Sequence, residues 1–181
     1  FHKYIVYYFI DNFDRDEISN LDKKINIIFR NYKISNLSPI LKDLSIFCKK
    51  KHRKLFLSNN LNLALKYNLS GLYIPSFNKL KNFKNINFKK KFKIIGSAHN
   101  EQEILVKRNQ GCEEIFLSPI FKTQKKQNFL DVCKFNKINL GNTLKTIALG
   151  GIDDNNLKRI KLTKAVGISS IRWIKKNRPK I

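Results

Sequence analysis

The sequence predicts an α/β protein, a small (β/α)8 TIM barrel with shortened helices, and three observations lead to it. Short apolar runs alternate with polar, helix-like stretches along the whole chain, the pattern of parallel strands joined by crossover helices. Eight such runs fall within 181 residues, which leaves room only for short helices between them. Apolar residues make up 42%, with fourteen Phe and six Tyr, enough to fill the core of one domain spanning residues 1–181.

In chain order the expected strands are Tyr4–Phe9, Ile25–Phe29, Lys54–Leu57, Gly71–Ile74, Lys93–Gly96, Glu114–Leu117, Thr146–Leu149 and Ala165–Ile168. Between the second and third, Leu37 to Lys50 carries Ile40, Leu41, Leu44 and Phe47 at helical spacing. Asn60 can cap a helix bearing Leu63, Ala64 and Tyr67. Asn100 and Glu103 have capping-box spacing ahead of Ile104 and Leu105, with Gly111 as a stop. Asp153 or Asp154 can cap a helix carrying Leu157 and Ile160. The stretches after the fourth and sixth strands are rich in Asn and Lys, and no regular helix is expected there.

Lys and Arg total 37 against 13 acids, a net charge of +24. The excess is scattered along the chain and accompanied by abundant Asn and Ile, as A/T-rich codon usage would produce, so a solvated surface explains it without a nucleic-acid partner. No RNA-binding motif with interleaved aromatics is recognisable. Cys48, Cys112 and Cys133 lack metal-knuckle or redox-pair spacing and are expected to be reduced. No apolar run approaches the ~20 residues of a membrane span, and no signal peptide is visible, so no membrane association and a cytoplasmic location are expected. With no Met in the chain, Phe1 is not an initiator, and the start is expected to be trimmed or to derive from a non-AUG codon. The oligomeric state is left open.

In a barrel of this kind chemistry resides just past the strands' C-terminal ends. Ile147-Ala-Leu-Gly-Gly-Ile-Asp153 runs a strand into Gly150 and Gly151, whose backbone N–H groups can approach an anion; a plain turn is the competing reading. Ala165-Val-Gly-Ile-Ser-Ser170 brings Gly167 and two serines to the last short helix. In Phe116-Leu-Ser-Pro-Ile-Phe-Lys-Thr-Gln-Lys-Lys126, Thr123, Lys125 and Lys126 can hold a phosphate, or simply form a solvated basic loop. Ile95-Gly-Ser-Ala-His99 sets Ser97 and His99 past the fifth strand, with His99 a structural histidine or a general acid/base.

Gly-Ser-Ala-His, then Ser-Pro-Ile-Phe-x-Thr, then Ala-Leu-Gly-Gly-Ile, then Val-Gly-Ile-Ser, in that order, resembles the thiamine-phosphate synthase and thiazole tautomerase superfamily, over residues 1 to about 175. The resemblance implies a transferase that joins hydroxymethylpyrimidine diphosphate to hydroxyethylthiazole phosphate, releasing diphosphate. By motif position, Arg30 and Lys126 match diphosphate-binding residues, and Thr123, Gly150 and Gly151 match thiazole-phosphate contacts. Ser97 matches a polar residue between the substrates, and Gly167 with the backbone at Ile171 and Arg172 matches the rest of the phosphate cup.

The family's Mg²⁺ is held by aspartates after strands three and four, where this chain has Asn59 and Asn78. From Leu44 through Asn100 the sequence contains no Asp or Glu, so no realignment restores a carboxylate there. Strand two carries Ile28 and Tyr32 where the family has Gln and Lys, although Lys33 is adjacent. Magnesium is therefore implied by resemblance alone, with its ligands missing. A metal-free isomerase of the tautomerase branch, with His99 as acid/base and support from Leu72-Tyr-Ile-Pro-Ser76, is the alternative, and a catalytically decayed barrel acting as a basic binding protein is another.

Overall fold

The computed structural model describes residues 4–79, 83, 86–89, 91–124 and 127–181. Eight parallel strands close into a barrel in sequence order, each paired with its neighbours and β8 returning to β1. They are β1 (Ile5–Ile10), β2 (Asn26–Phe29), β3 (Leu55–Ser58), β4 (Gly71–Ile74), β5 (Lys93–Ala98), β6 (Glu114–Leu117), β7 (Lys145–Leu149) and β8 (Gly167–Ser169). All eight expected strands form, β4 and β6 with the expected bounds and the others with ends displaced by at most two residues.

Because side chains alternate across a strand, each run feeds two cores. Val6, Tyr8 and Ile10 face the helical layer, while Tyr7 and Phe9 turn into the barrel with Ile28, Phe56, Tyr73, Ile95, Phe116 and Ile147. The lumen is thus filled largely by rings meeting edge to face: Tyr7 lies 5.7 Å from Phe56 and 5.0 Å from Phe116, and Phe9 5.2 Å from Tyr73. At its N-terminal end Glu114, 1% exposed, accepts bonds from the Tyr7 hydroxyl (2.6 Å) and Lys93 Nζ (3.0 Å). Burial, with the Glu114 charge adding to it, pushes the Tyr7 phenol far up.

Gly167 opens β8, within the run expected as the eighth strand. A Cβ there would lie 2.4 Å from the Ile5 carbonyl oxygen, so glycine permits the close approach of β8 to β1. It does not line the cavity formed by the other expected cup residues, and β8 begins two residues later than expected.

The helices α2 (Ser38–Lys50), α3 (Leu61–Lys66) and α4 (Glu101–Asn109) form where expected. Asn60 accepts from Leu63 N, and Asn100 from Glu103 N. Glu103 reaches back one residue further than a standard capping box and takes the backbone N–H of His99 (2.8 Å). Two helices differ from expectation. After β6 a regular helix, α5 (Asp131–Asn139), stands where Asn and Lys content argued against one. Phe135 and Ile138 bury one face while Lys134 and Lys137 stay in solvent, and the buried Asn139 is satisfied by Phe135 O and Thr146 Oγ1. The short α1 (Arg15–Ser19) is capped by Asp14.

The segment after β7 is a 3₁₀ helix (Leu157–Leu162), not an α-helix. Asp153 spends its carboxylate on Asn155 N and Asn156 N before the helix begins, and Ile160 is its one fully buried anchor. The last helix is α6 (Ile171–Asn177). Among the described residues no helix is long and apolar enough to cross a membrane. Cys48, Cys112 and Cys133 are all free thiols.

Candidate active site

The residues past the C-terminal strand ends form three groups. The first is a cup. Gly150 (φ +93°) and Gly151 (φ +73°) turn the chain after β7 in the left-handed region. A Cβ on Gly151 would stand 2.3 Å from the Phe121 carbonyl oxygen and 2.5 Å from that of Lys122. This contact seats the loop after β6, and with it Thr123, against the glycines. Phe121 N–H donates to Gly150 O (3.1 Å) and Ile120 N–H to Leu149 O (2.9 Å).

Thr123, both glycines, Ile171 and Arg172 line one cavity of about 600 Å³, so five of the sequence-predicted residues come together. Lys122 and Lys176 add positive charge to it. Two carboxylates also line it: Asp154 accepts from Trp173 Nε1 (2.6 Å) and lies 3.8 Å from Lys176 Nζ, and Asp153 holds the turn at Asn155 and Asn156. Lys125 and Lys126 lie outside the described residues.

The second group surrounds Arg30, at the end of β2. Its guanidinium sits over the Phe9 ring, 4.7 Å from the centroid, which orients the charge and partly strips its water. Tyr73, from β4, lies beside Arg30 and Ser97, and burial raises its hydroxyl to about 12. Tyr73 therefore links two residues that the sequence picked out separately. Ser97, 6% exposed, lies within the barrel mouth on the inward face of β5.

Past β2 and β4, Tyr32 and Phe77 meet edge to face at 5.6 Å while remaining 53% and 65% exposed, and the Tyr32 hydroxyl bonds Ser58 Oγ (2.7 Å). Asn78 Nδ2 donates to Asn59 Oδ1 at 2.5 Å. The two amides that stand where metal ligands were expected thus bond each other. A neutral amide pair with no carboxylate nearby does not fit a hard divalent cation, and among the described residues no group of His, Cys, Asp and Glu could hold one.

The third group centres on His99, which lines a separate cavity of about 460 Å³ with Ser118, Gln127 and Phe129. Its Nδ1 lies 2.7 Å from the Ser118 carbonyl oxygen, which only accepts, so Nδ1 carries the proton. In the neutral ring Nε2 is then the basic atom, with Ser76 Oγ 3.4 Å away.

Behind this face lies a residue that sequence reading passed over. Lys107 of α4 is 0% exposed, and its Nζ donates to Pro75 O (2.8 Å), Asn78 O (2.6 Å) and Gln110 Oε1 (2.9 Å). It fixes the loop bearing Ser76, Phe77 and Asn78, and desolvation lowers its ammonium to about 8.

The profile of a family described as thiamine monophosphate synthase matches residues 21–174. A thiamine-phosphate synthase of Prochlorococcus marinus is 32% identical over 142 residues, 74% of this chain but 38% of the relative's length. One from Clostridium tetani is 24% identical over 154 residues, covering 80% of this chain and 70% of that protein. Among solved structures, a thiamine phosphate pyrophosphorylase from Pyrococcus furiosus superposes with a TM-score of 0.70 at 16% identity, over 96% of this chain and 92% of that one.

Proposed function

Because the chain belongs to the thiamine monophosphate synthase family, we propose that it is a transferase of thiamine biosynthesis that joins hydroxymethylpyrimidine diphosphate to hydroxyethylthiazole phosphate. The observation that carries this reading is Arg30, held on Phe9 and Tyr73 at the barrel mouth, together with a basic cup built from Thr123, Gly150 and Gly151. The cup takes the thiazole phosphate through backbone N–H groups, Thr123 and Arg172. Arg30 takes the diphosphate, with Lys126 as a second cation on sequence grounds. The pyrimidine ring lies against the exposed Tyr32 and Phe77.

In the reaction the C–O bond to diphosphate breaks, the electron pair leaves with the diphosphate oxygen, and the thiazole nitrogen attacks the pyrimidine methylene cation. Negative charge grows on the leaving oxygen, and a guanidinium already oriented there stabilises it without reorganisation. Ser97 and Tyr73 sit between the two anion sites as polar positioning groups. No step is routed through magnesium, because Asn59 and Asn78 do not suit it. The experiment is to mix the protein with both substrates, with Mg²⁺ and with EDTA; thiamine phosphate is expected, and its absence under both conditions overturns the transferase reading.

A metal-free isomerase is the second reading. The Asn59–Asn78 amide pair and the basic Nε2 of His99 favour it, since proton transfer on a thiazole phosphate requires an acid/base and no diphosphate site. Isomerisation by the wild type and its loss in His99→Ala would establish this reading; full activity in His99→Ala would remove it.

A further inference from the structure

A cavity of about 990 Å³ opens at the other end of the barrel, below the N-terminal ends of β3, β4 and β5, where Lys54, Ser70 and Lys93 enter those strands. That volume is at the upper end of small-molecule sites, and none of the catalytic groups described above lines it. Its apolar surface is offered by Leu65 of α3, 47% exposed, and by the half-buried Phe92, with Phe56, Ala64 and Leu69 buried behind them. Gly71 lacks the Cβ that would press on the Phe56 ring at 2.8 Å.

The charge at the cavity has one sign. Lys54, Lys89, Lys91 and Lys93 line it, and none of its described lining residues is acidic. Among the described residues lining it, only Lys93 has a carboxylate partner, Glu114. Lys54, Lys89 and Lys91 are exposed, so their ammonium groups keep their water at the rim of an apolar surface. Apolar depth with cations at the rim is the arrangement that recognises an amphipathic anion. A polyanion such as RNA would make no use of the apolar depth, and a purely apolar ligand would make no use of the lysines.

We infer that this cavity is a second ligand site, separate from the transferase face, which takes an amphipathic monoanion: an aliphatic or aromatic group against Leu65 and Phe92, and a carboxylate or phosphate at Lys54, Lys89 and Lys91.

Titration calorimetry of the full chain with decanoate below its micellar concentration tests this. Saturable binding is expected, with affinity rising about threefold per added CH₂ from hexanoate to decanoate. Decanol and inorganic phosphate should each bind at least about tenfold more weakly, since each lacks half of the recognition. Two surface variants that spare the core, Leu65→Glu at the cavity mouth and Lys89→Glu with Lys91→Glu, should each weaken decanoate at least about tenfold and leave hydroxyethylthiazole phosphate binding unchanged. Absence of decanoate binding, equal affinity for decanol, or wild-type affinity in both variants would overturn the inference. Binding of a poly(U) strand that displaces decanoate would reassign the site to nucleic acid.

Discussion

Replacing Gly151 with Ala should damage the phosphate cup and the fold together, by an amount that the geometry sets. At φ +73° an L side chain sits in the left-handed region, at about 1–2 kcal/mol. The added Cβ would also lie 2.3 Å from Phe121 O and 2.5 Å from Lys122 O, so the loop after β6 must withdraw by about an ångström to restore van der Waals distance. That withdrawal strains the bonds from Phe121 N–H to Gly150 O and from Ile120 N–H to Leu149 O, each worth about 1 kcal/mol. A total destabilisation of about 2–4 kcal/mol is expected in urea unfolding, and hydroxyethylthiazole phosphate should bind at least about tenfold more weakly as Thr123 moves off the glycines. Gly141→Ala is the control, because an added Cβ there meets nothing within 4 Å, and it should be neutral or stabilising by up to about 1 kcal/mol. A Gly151→Ala protein with wild-type stability and wild-type phosphate affinity would refute the assignment of the cup.

Three further outcomes are expected. Converting the amide pair to Asn59→Asp with Asn78→Asp should lower the melting temperature in EDTA through carboxylate repulsion, and millimolar Mg²⁺ should return about 1.4–2.7 kcal/mol to this variant while leaving the wild type unmoved; an equal Mg²⁺ response in the wild type would show that the amides do hold the metal. The Lys107 ammonium is held at about 8 against an unfolded value of 10.5, so the unfolded chain binds the extra proton between those values. The wild type should therefore gain stability relative to Lys107→Met as pH rises from about 8 to 10.5, by up to about 3 kcal/mol, and a flat or falling difference in pH-dependent unfolding would contradict the burial argument. Tyr7→Phe leaves Glu114 one donor short in the barrel floor and should cost about 1–3 kcal/mol in denaturant unfolding, without change in thiazole phosphate affinity.

Much of this molecule was readable from local pattern. The strands announce themselves as short apolar runs, and Asn60 and Asn100 mark helix starts that the structure keeps, because those signals lie within a few residues of one another. Gly150, Gly151 and Thr123 were legible as a group only through the order of motifs along the chain. Composition misled at α5, where Asn and Lys content concealed the Phe135 and Ile138 spacing that buries one face. The packing role of Gly167 stayed hidden because nothing local reveals that Ile5 O approaches it from the far end of the chain. Lys107, Tyr73 and the Tyr32–Phe77 pair escaped for the same reason: each acts through partners distant in sequence, and a lysine among so many gives no sign that it is the one without solvent. The acid-free run from Leu44 through Asn100 was the most informative feature of the charge, since it foretold the amide pair at the mouth of β3 and β4.

The central claim is that Arg30, set on Phe9 and Tyr73, carries the charge of the departing diphosphate, and the rate of diphosphate release on mixing both substrates tests it most directly. Arg30→Ala should slow release by about 10²–10³-fold while hydroxyethylthiazole phosphate binds as before. Release within about threefold of the wild-type rate would contradict the account, since a difference that small is less than one hydrogen bond to a charged group.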